Sequence, residues 1–274
     1  MDFSGQLSPS QTTDILKEIG HDPVKKLGQN FLTDSNIVRK SLELAEVKEG
    51  DIVVEVGPGL GTLTGALLQA GAKVFAVELD KRLHAHILET FKGNPNLNLI
   101  WGDAVKYPLA GLPNDIKDFK IVANLPYAIS TIWLEKVLSG RLPQKMSLML
   151  QQEAAARFTA KKSTSEFSPI SIFLNSAYRV KCSHKVSASC FYPRPKVNSA
   201  LLALEILESP YVFKPRTKEL MRKIFSRRRK QIFSILKDLK DESALKWLEE
   251  NTEIKPADRP ETIAPELWRK LDQQ

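Results

Sequence analysis

The sequence predicts an α/β protein: a doubly wound, mostly parallel sheet followed by a small all-α carboxyl-terminal domain. Three observations predict it. From Asp51 to Ala160, short apolar runs alternate with segments of helical periodicity, the pattern left by crossover connections. The runs are continuously apolar, as strands covered on both faces must be. From Pro215 onward only helical signals remain.

The elements follow in order. Ser8 to Ile19 reads as a short capped helix inside an amino-terminal extension, residues 1–24. DIVVEV (51–56) is a buried strand. Leu60, Leu63, Thr64, Leu67 and Leu68 share one face of the next helix, which Gly71 ends. KVFAVEL (73–79) is a second strand, and KRLHAHILETFK (81–92) is a helix closed by Gly93 and Pro95. LNLIWGDA (97–104) and FKIVANLP (119–126) are strands three and four. ISTIWLEKVLSG (129–140) is a helix, KMSLMLQQ (145–152) the fifth strand, and QEAAARFTA starts another helix. After a polar loop, Lys161 to Glu166, SPISIFLNSAYRV (168–180) reads as helix. SASCFYP (187–193) and NSALLALEIL (198–207) read as strands flanking the loop FYPRPKVN. A boundary near Glu208-Ser209-Pro210 separates a main domain, 25–208, from a helical one, 209–274. In the latter, Met221, Ile224, Phe225, Ile232, Ile235, Leu236 and Leu239 make an apolar stripe. LKWLEEN and ELWRKLD are shorter helices whose Trp247 and Trp268 read as core.

The 274 residues are 42% hydrophobic, enough for a sizeable core, and carry a formal charge of +8. The excess is local. Lys214 to Lys240 holds eleven basic residues against Glu219 and Asp238, so the rest of the chain is near neutral. Clustered charge of this kind points to a polyanion. As a helix face bearing Arg222, Lys223, Arg227, Arg228, Arg229 and Lys230, the segment reads as phosphate contacts; the plain alternative is a solvated face. Two cysteines make no disulfide framework. The first residues form no signal peptide, and no apolar run is long enough to cross a bilayer. A reducing, cytoplasmic setting without membrane association is expected. Cys182, His184 and Cys190 lack zinc-type spacing, and His84 and His86 point to different sides of a helix, so no metal site is expected.

The chemistry gathers at strand ends. The first strand runs into Gly57-Pro-Gly59-Leu-Gly61, a G-x-G-x-G loop. Thr62 breaks the dinucleotide fingerprint, and no G-K-[ST] follows. Glu78 ends the second strand, where a carboxylate can accept both hydroxyls of a ribose. Asp103, in Gly102-Asp103-Ala104, ends the third and can accept from an adenine amine. Each feature alone is an ordinary turn glycine or solvated acid. At successive strand ends they describe a pocket for an adenosine without phosphates, and the sulfonium of S-adenosylmethionine suits its acidity.

The fourth strand delivers Asn124-Leu125-Pro126-Tyr127 beside that pocket. An amine conjugated to a ring is a poor nucleophile. Acceptors that take its hydrogens favour a pyramidal, reactive nitrogen. The Asn124 side-chain oxygen is one acceptor and the Leu125 carbonyl a second, held in a turn by Pro126, which has no N–H to compete. Tyr127 offers a face for a purine. The loop Phe191-Tyr-Pro-Arg194-Pro-Lys196 adds a second ring and two cations. A flipped base could lie between Phe191 and Tyr127, with Arg194 and Lys196 on its phosphates. Taken alone, that loop is a rigid proline-rich turn.

These residues carry a resemblance. KKLGQNFL (25–32), EVGPGLGTLT (55–64), VELD (77–80), GDA (102–104), NLPY-x-IS (124–130), MLQQE-x-A-x-R (149–157), FYPRPKVNS (191–199), the F-x-x-RRK run and RPET (259–262) resemble the bacterial small-subunit rRNA adenine dimethyltransferases, the KsgA/RsmA group. The resemblance spans nearly the whole chain. It implies the Rossmann-like sheet of class I methyltransferases and S-adenosylmethionine as cofactor. It implies N6,N6-dimethylation of two adjacent adenines near the 3′ end of 16S rRNA, within the small subunit or its precursor, by a monomer. Gln29, Asn30 and Leu32 would help close over the cofactor, and Gly57, Gly59, Glu78, Asp103, Ala104 and Asn124 would contact it. Ala128 stands where the group usually has Asn, and residues 161–171 differ from its usual segment. Two alternatives stay open: a 23S rRNA adenine-N6 methyltransferase of the macrolide-resistance type, and an assembly factor acting mainly by binding. A hydride-transfer enzyme is a distant third, contradicted by Thr62.

Overall fold

The computed structural model describes residues 7–24 and 28–274. In chain order the elements are α1 (Pro9–Glu18), β1 (Phe31–Leu32), α2 (Ser35–Leu44), β2 (Ile52–Val56), α3 (Thr62–Gln69), β3 (Lys73–Glu78), α4 (Lys81–Thr90), β4 (Leu97–Trp101), β5 (Lys120–Asn124), α5 (Ser130–Val137), β6 (Lys145–Gln151), α6 (Gln152–Phe158), α7 (Pro169–Ala177), β7 (Tyr178–Val186), β8 (Phe191–Tyr192), β9 (Ser199–Ile206), α8 (Pro215–Phe225), α9 (Ile232–Leu239), α10 (Glu242–Glu250) and α11 (Pro265–Leu271). The chain divides into two compact units. One takes the residues up to Ala155 together with Val180–Ile206; the other takes Ala156–Arg179 and Leu207–Gln274.

The first unit is built on a seven-stranded sheet in the order β4-β3-β2-β5-β6-β9-β7. β4, β3, β2, β5 and β6 pair in parallel, and β9 joins β6 antiparallel, with Met149 opposite Leu201. The chain travels outward from β2 through β3 to β4, then returns to place β5 on the other side of β2. That reversal opens a crevice at the carboxyl ends of β2 and β5, where α/β sheets bind ligands. Val53, Val54, Ile121, Val122, Leu148 and Leu150 are fully buried, which is why these strands read as unbroken apolar runs.

The second unit packs α7 against α8 and α11, and α10 against α9 and α11. Trp247 and Trp268 are both fully buried and stack at 5.2 Å and 28°. Phe225 joins them, 5.6 Å from Trp268.

Several sequence expectations need correction here. Helix α7 stops at Ala177, so Tyr178-Arg179-Val180 opens β7 instead of ending a helix. β7 is exposed along most of its length, so no apolar run announced it. Ala188–Cys190 is a single 3-10 turn, and only Phe191–Tyr192 is extended, pairing with β1 outside the main sheet. Asp103 lies in the turn beyond β4, not within the strand. Residues 156–179, expected with the sheet, group with the carboxyl-terminal helices: seven of the nine residues of α7 are buried, too apolar to cover a sheet on one face only. The basic run Arg227–Lys230 is no helix face; it forms the turn between α8 and α9.

Candidate active site

One cavity opens at the crevice. Gln29, Asn30 and Leu32 line one wall; Gly57 and Gly59 form its floor. Glu78, Asp103 and Ala104 follow round the rim to Asn124, Leu125, Pro126 and Tyr127. Twelve of the thirteen positions that the sequence singled out for catalysis or cofactor contact therefore share a single space.

The glycine loop is built for close approach. Gly59 sits at φ +60°, a backbone state that favours glycine. A Cβ there would stand 3.0 Å from the Phe31 ring. The loop is tied to the acid that ends β3: the Gly59 N–H donates to Glu78 Oε2 (3.1 Å) and the Asp80 N–H to Glu78 Oε1 (2.9 Å). Glu78 is 5% exposed. Its burial raises its pKa, opposed by these backbone donors. Each oxygen keeps a second lone pair for a ligand hydroxyl. Asp103 Oδ1 accepts from the Val105 N–H at 2.8 Å, which fixes the carboxylate and leaves Oδ2 for the cavity.

Among the described residues, one side-chain hydrogen bond orients Asn124. Its Nδ2 donates to the Asn30 carbonyl at 3.0 Å, so Oδ1 is the end turned to the cavity. The Leu125 N–H donates to the Met149 carbonyl at 3.2 Å, continuing the β5–β6 ladder one residue past the strand and fixing the Asn124–Leu125 peptide. Tyr127 is held by its hydroxyl, 2.6 Å from the Ser199 Oγ. Its burial raises the phenol pKa.

Phe191 is not part of this site. Its ring is 4% exposed and packs in the core with Leu32, Val186 and Leu201. The two-residue strand explains it: Phe191 pairs with Leu32 and Tyr192 with Phe31, and successive side chains point to opposite faces. Phe191 takes the inward face. Arg194 and Lys196 are exposed on the following turn. The expected sandwich between Phe191 and Tyr127 is absent from this arrangement.

Two side chains escaped the sequence reading. Ser199 is fully buried and positions Tyr127. Glu55 lies in β2, 1% exposed, lines the cavity and accepts from Thr64 Oγ1 at 2.7 Å. An acid inside an otherwise apolar strand was the signal for it. Burial lifts its pKa from about 4.5 to about 8, with neighbouring Glu78 adding and Thr64 opposing. The folded protein therefore keeps a proton that the unfolded chain releases, so stability falls as pH rises from about 4.5 to about 8 and levels off above. Glu55→Gln keeps the Thr64 bond and removes this cost. Its melting temperature should match wild type near pH 4.5 and exceed it increasingly toward pH 8, by calorimetry.

The cavity is electrostatically one-sided. Among the described residues its wall carries Glu55, Glu78 and Asp103 and no lysine or arginine. A phosphate would find no cationic partner there, whereas a phosphate-free adenosine bearing a cation fits both the glycine floor and the acid-lined wall.

The basic segment divides by role. Arg228 donates to the carbonyls of Ser165 (2.6 Å) and Thr164 (3.1 Å) and lies 3.9 Å from Glu261, whose carbonyl accepts the Ser163 N–H at 2.7 Å. It is an internal tie for the loop 161–166, not a free cation. Arg227 and Lys230 both reach Asp238 at 3.3 Å, and Lys223 reaches Glu219 at 2.8 Å. Such exposed pairs are worth about 0–1 kcal/mol each, so a phosphate can displace them. Arg222 and Arg229 are exposed. Arg228→Ala should therefore lower the melting temperature by a few degrees, for a loss of about 1–2 kcal/mol. Arg229→Ala should leave it unchanged and reduce the salt dependence of binding to a polyanion by about one charge.

Comparison with known proteins finds relatives over nearly the whole chain. Residues 20–272 match the family model described as ribosomal RNA adenine dimethylase. A ribosomal RNA small subunit methyltransferase A from Opitutus terrae is 53% identical over 270 residues, covering 97% of this chain and 98% of its relative. The protein of that name from Clostridium perfringens is 35% identical, covering 94% and 93%. Among solved structures, a dimethyladenosine transferase from Plasmodium falciparum superposes with a TM-score of 0.70 at 27% identity, covering 88% of this chain and 95% of that one. The 23S rRNA methyltransferase ErmE shares the fold, with a TM-score of 0.64 at 24% identity over 89% and 98% of the two chains.

Proposed function

This chain belongs to the ribosomal RNA adenine dimethylase family, and on that footing we propose how its cavity works and on what. The protein is a methyltransferase that dimethylates adenine in small-subunit ribosomal RNA. We assign S-adenosylmethionine to the cavity, and as targets two adjacent adenines near the 3′ end of 16S rRNA in a cytoplasmic small subunit or its precursor. The chain acts as a monomer in this reading.

The cofactor supplies an electrophilic methyl group on a sulfonium; everything else falls to the chain. Glu78 holds the ribose hydroxyls, Asp103 the adenine amine, and Gly57 and Gly59 admit the ligand to the backbone. Asn124 Oδ1 and the Leu125 carbonyl accept from the target amine. They draw its lone pair out of conjugation and leave it aimed at the methyl carbon. No strong base is required, because the amine becomes acidic once it is cationic. The rate gain comes from positioning and from dipoles fixed before the reaction begins. Tyr127, pinned by Ser199, gives the purine a flat surface.

One observation carries this reading: the Asn124 amide is turned by the Asn30 carbonyl so that its oxygen faces a cavity ringed by acids. The test is to incubate unmodified small subunits with isotope-labelled S-adenosylmethionine and map the label by sequencing. Label confined to two neighbouring adenines near the 3′ end supports it. Label on large-subunit RNA, or none with intact binding, overturns it in favour of the 23S or the binding-only alternative.

A further inference from the structure

The amino-terminal extension ends in a turn that carries a buried histidine to the cavity wall. Helix α1 is capped by Ser8, whose Oγ accepts from the Gln11 N–H (3.2 Å) while Gln11 Oε1 accepts from the Ser8 N–H (2.8 Å). It closes with the Gly20 N–H on the Lys17 carbonyl (3.1 Å) and the His21 N–H on the Leu16 carbonyl (2.9 Å). Gly20 stands at φ +59°, as this helix ending requires. Leu16 is buried in a cluster with Phe31, Leu60 and Leu83, all three of which line the cavity.

His21 is 6% exposed. Its Nε2 lies 3.0 Å from Gln29 Oε1, which also accepts the Val24 N–H at 2.7 Å. An amide oxygen only accepts, so Nε2 carries the proton. Nδ1 lies 3.8 Å from Asp80 Oδ2. Asp80 is a junction: its N–H holds Glu78 Oε1, and its Oδ1 caps α4 at the Arg82 and Leu83 N–H groups (2.9 and 3.3 Å). On the other side, Gln29 precedes Asn30, whose carbonyl turns the Asn124 amide. One imidazole is thus hydrogen-bonded to the wall that orients the Asn124 amide and lies beside the turn that holds Glu78.

We infer that His21 is a positioning residue for methyl transfer, the bolt by which the amino-terminal extension fastens the Gly28–Asn30 wall through Gln29. This rests on the reading of the cavity as the S-adenosylmethionine pocket. A histidine that only filled core space would be replaced by any residue of similar size. A bolt needs an N–H at the Nε2 position. Gln at 21 supplies one there, whereas Asn reaches only the Nδ1 position.

The test compares His21→Gln, His21→Asn and His21→Ala in the full chain. Calorimetric titration with S-adenosylmethionine should show affinity about tenfold weaker for the Asn and Ala variants and near wild type for Gln. In turnover the loss should fall on the cofactor KM more than on kcat. In the cofactor-free protein, amide exchange at Val24 should be faster in the Ala and Asn variants and protected in Gln. Equal affinity and exchange in all four proteins, or a Gln variant no better than Ala, would overturn the inference. Should Ala prove too unstable to study, the Gln–Asn difference decides. If wild type itself fails to bind S-adenosylmethionine, the pocket reading is wrong, and the exchange rates, measured without cofactor, still decide the His21 link.

Discussion

Asn124→Ala should lower kcat by about two to three orders of magnitude while changing cofactor affinity far less, the cost of losing one preorganised acceptor at the reacting atom. The separation between the two effects follows from the geometry. Asn124 Nδ2 is spent on the Asn30 carbonyl, and Oδ1 is the end that meets the amine. Alanine also releases that carbonyl, so some loosening of the wall is expected. Asn124→Asp is the sharper control. A carboxylate has no N–H to give, so it must abandon the Asn30 bond, and it brings a fourth acid to a wall that already has Glu55, Glu78 and Asp103. Single-turnover rates at saturating cofactor read the chemical step directly. Wild-type rates in Asn124→Ala would remove the proposed mechanism.

The second large effect belongs to Glu78. Both of its oxygens accept backbone N–H groups, one from Gly59 and one from Asp80. Glutamine is nearly isosteric but has only one acceptor oxygen. Its NH2 must face one of those donors, in a place only 5% exposed to solvent. Glu78→Gln should therefore weaken S-adenosylmethionine binding about a hundredfold, through the lost ribose acceptor and an unsatisfied buried donor together. Equilibrium dialysis would measure it. If Gln binds like wild type, the ribose is held elsewhere.

Most of the sheet was legible because parallel strands buried on both faces cannot hide their apolar runs. The exposed edge strand β7 was not, since Tyr178–Val186 mixes polar and apolar residues without period. The cavity was legible for a related reason. Its residues come from strand ends, where backbone direction alone brings Gly57, Glu78, Asp103 and Asn124 together. Phe191 was misread because a motif does not state which face of a short strand its side chain takes. Arg228 was misread because charge is visible in a sequence while a carbonyl partner sixty-three residues away is not. Glu55 and His21 show the same limit: each is marked by burial and a specific hydrogen-bond partner, which only the folded chain supplies.

Asn124 and Leu125 present two acceptors, the first oriented by the Asn30 carbonyl and the second carried by the Leu125–Pro126 peptide, next to the Asn124–Leu125 peptide that Met149 fixes. An unmodified adenine brings two hydrogens to them. Once the first methyl is in place it brings one, and the rigid turn cannot fold in to make up the difference. The second transfer loses about one hydrogen bond of support, or roughly two- to tenfold in rate. Monomethyladenine should accumulate along the way, its lifetime set by arithmetic between hydrogens and lone pairs.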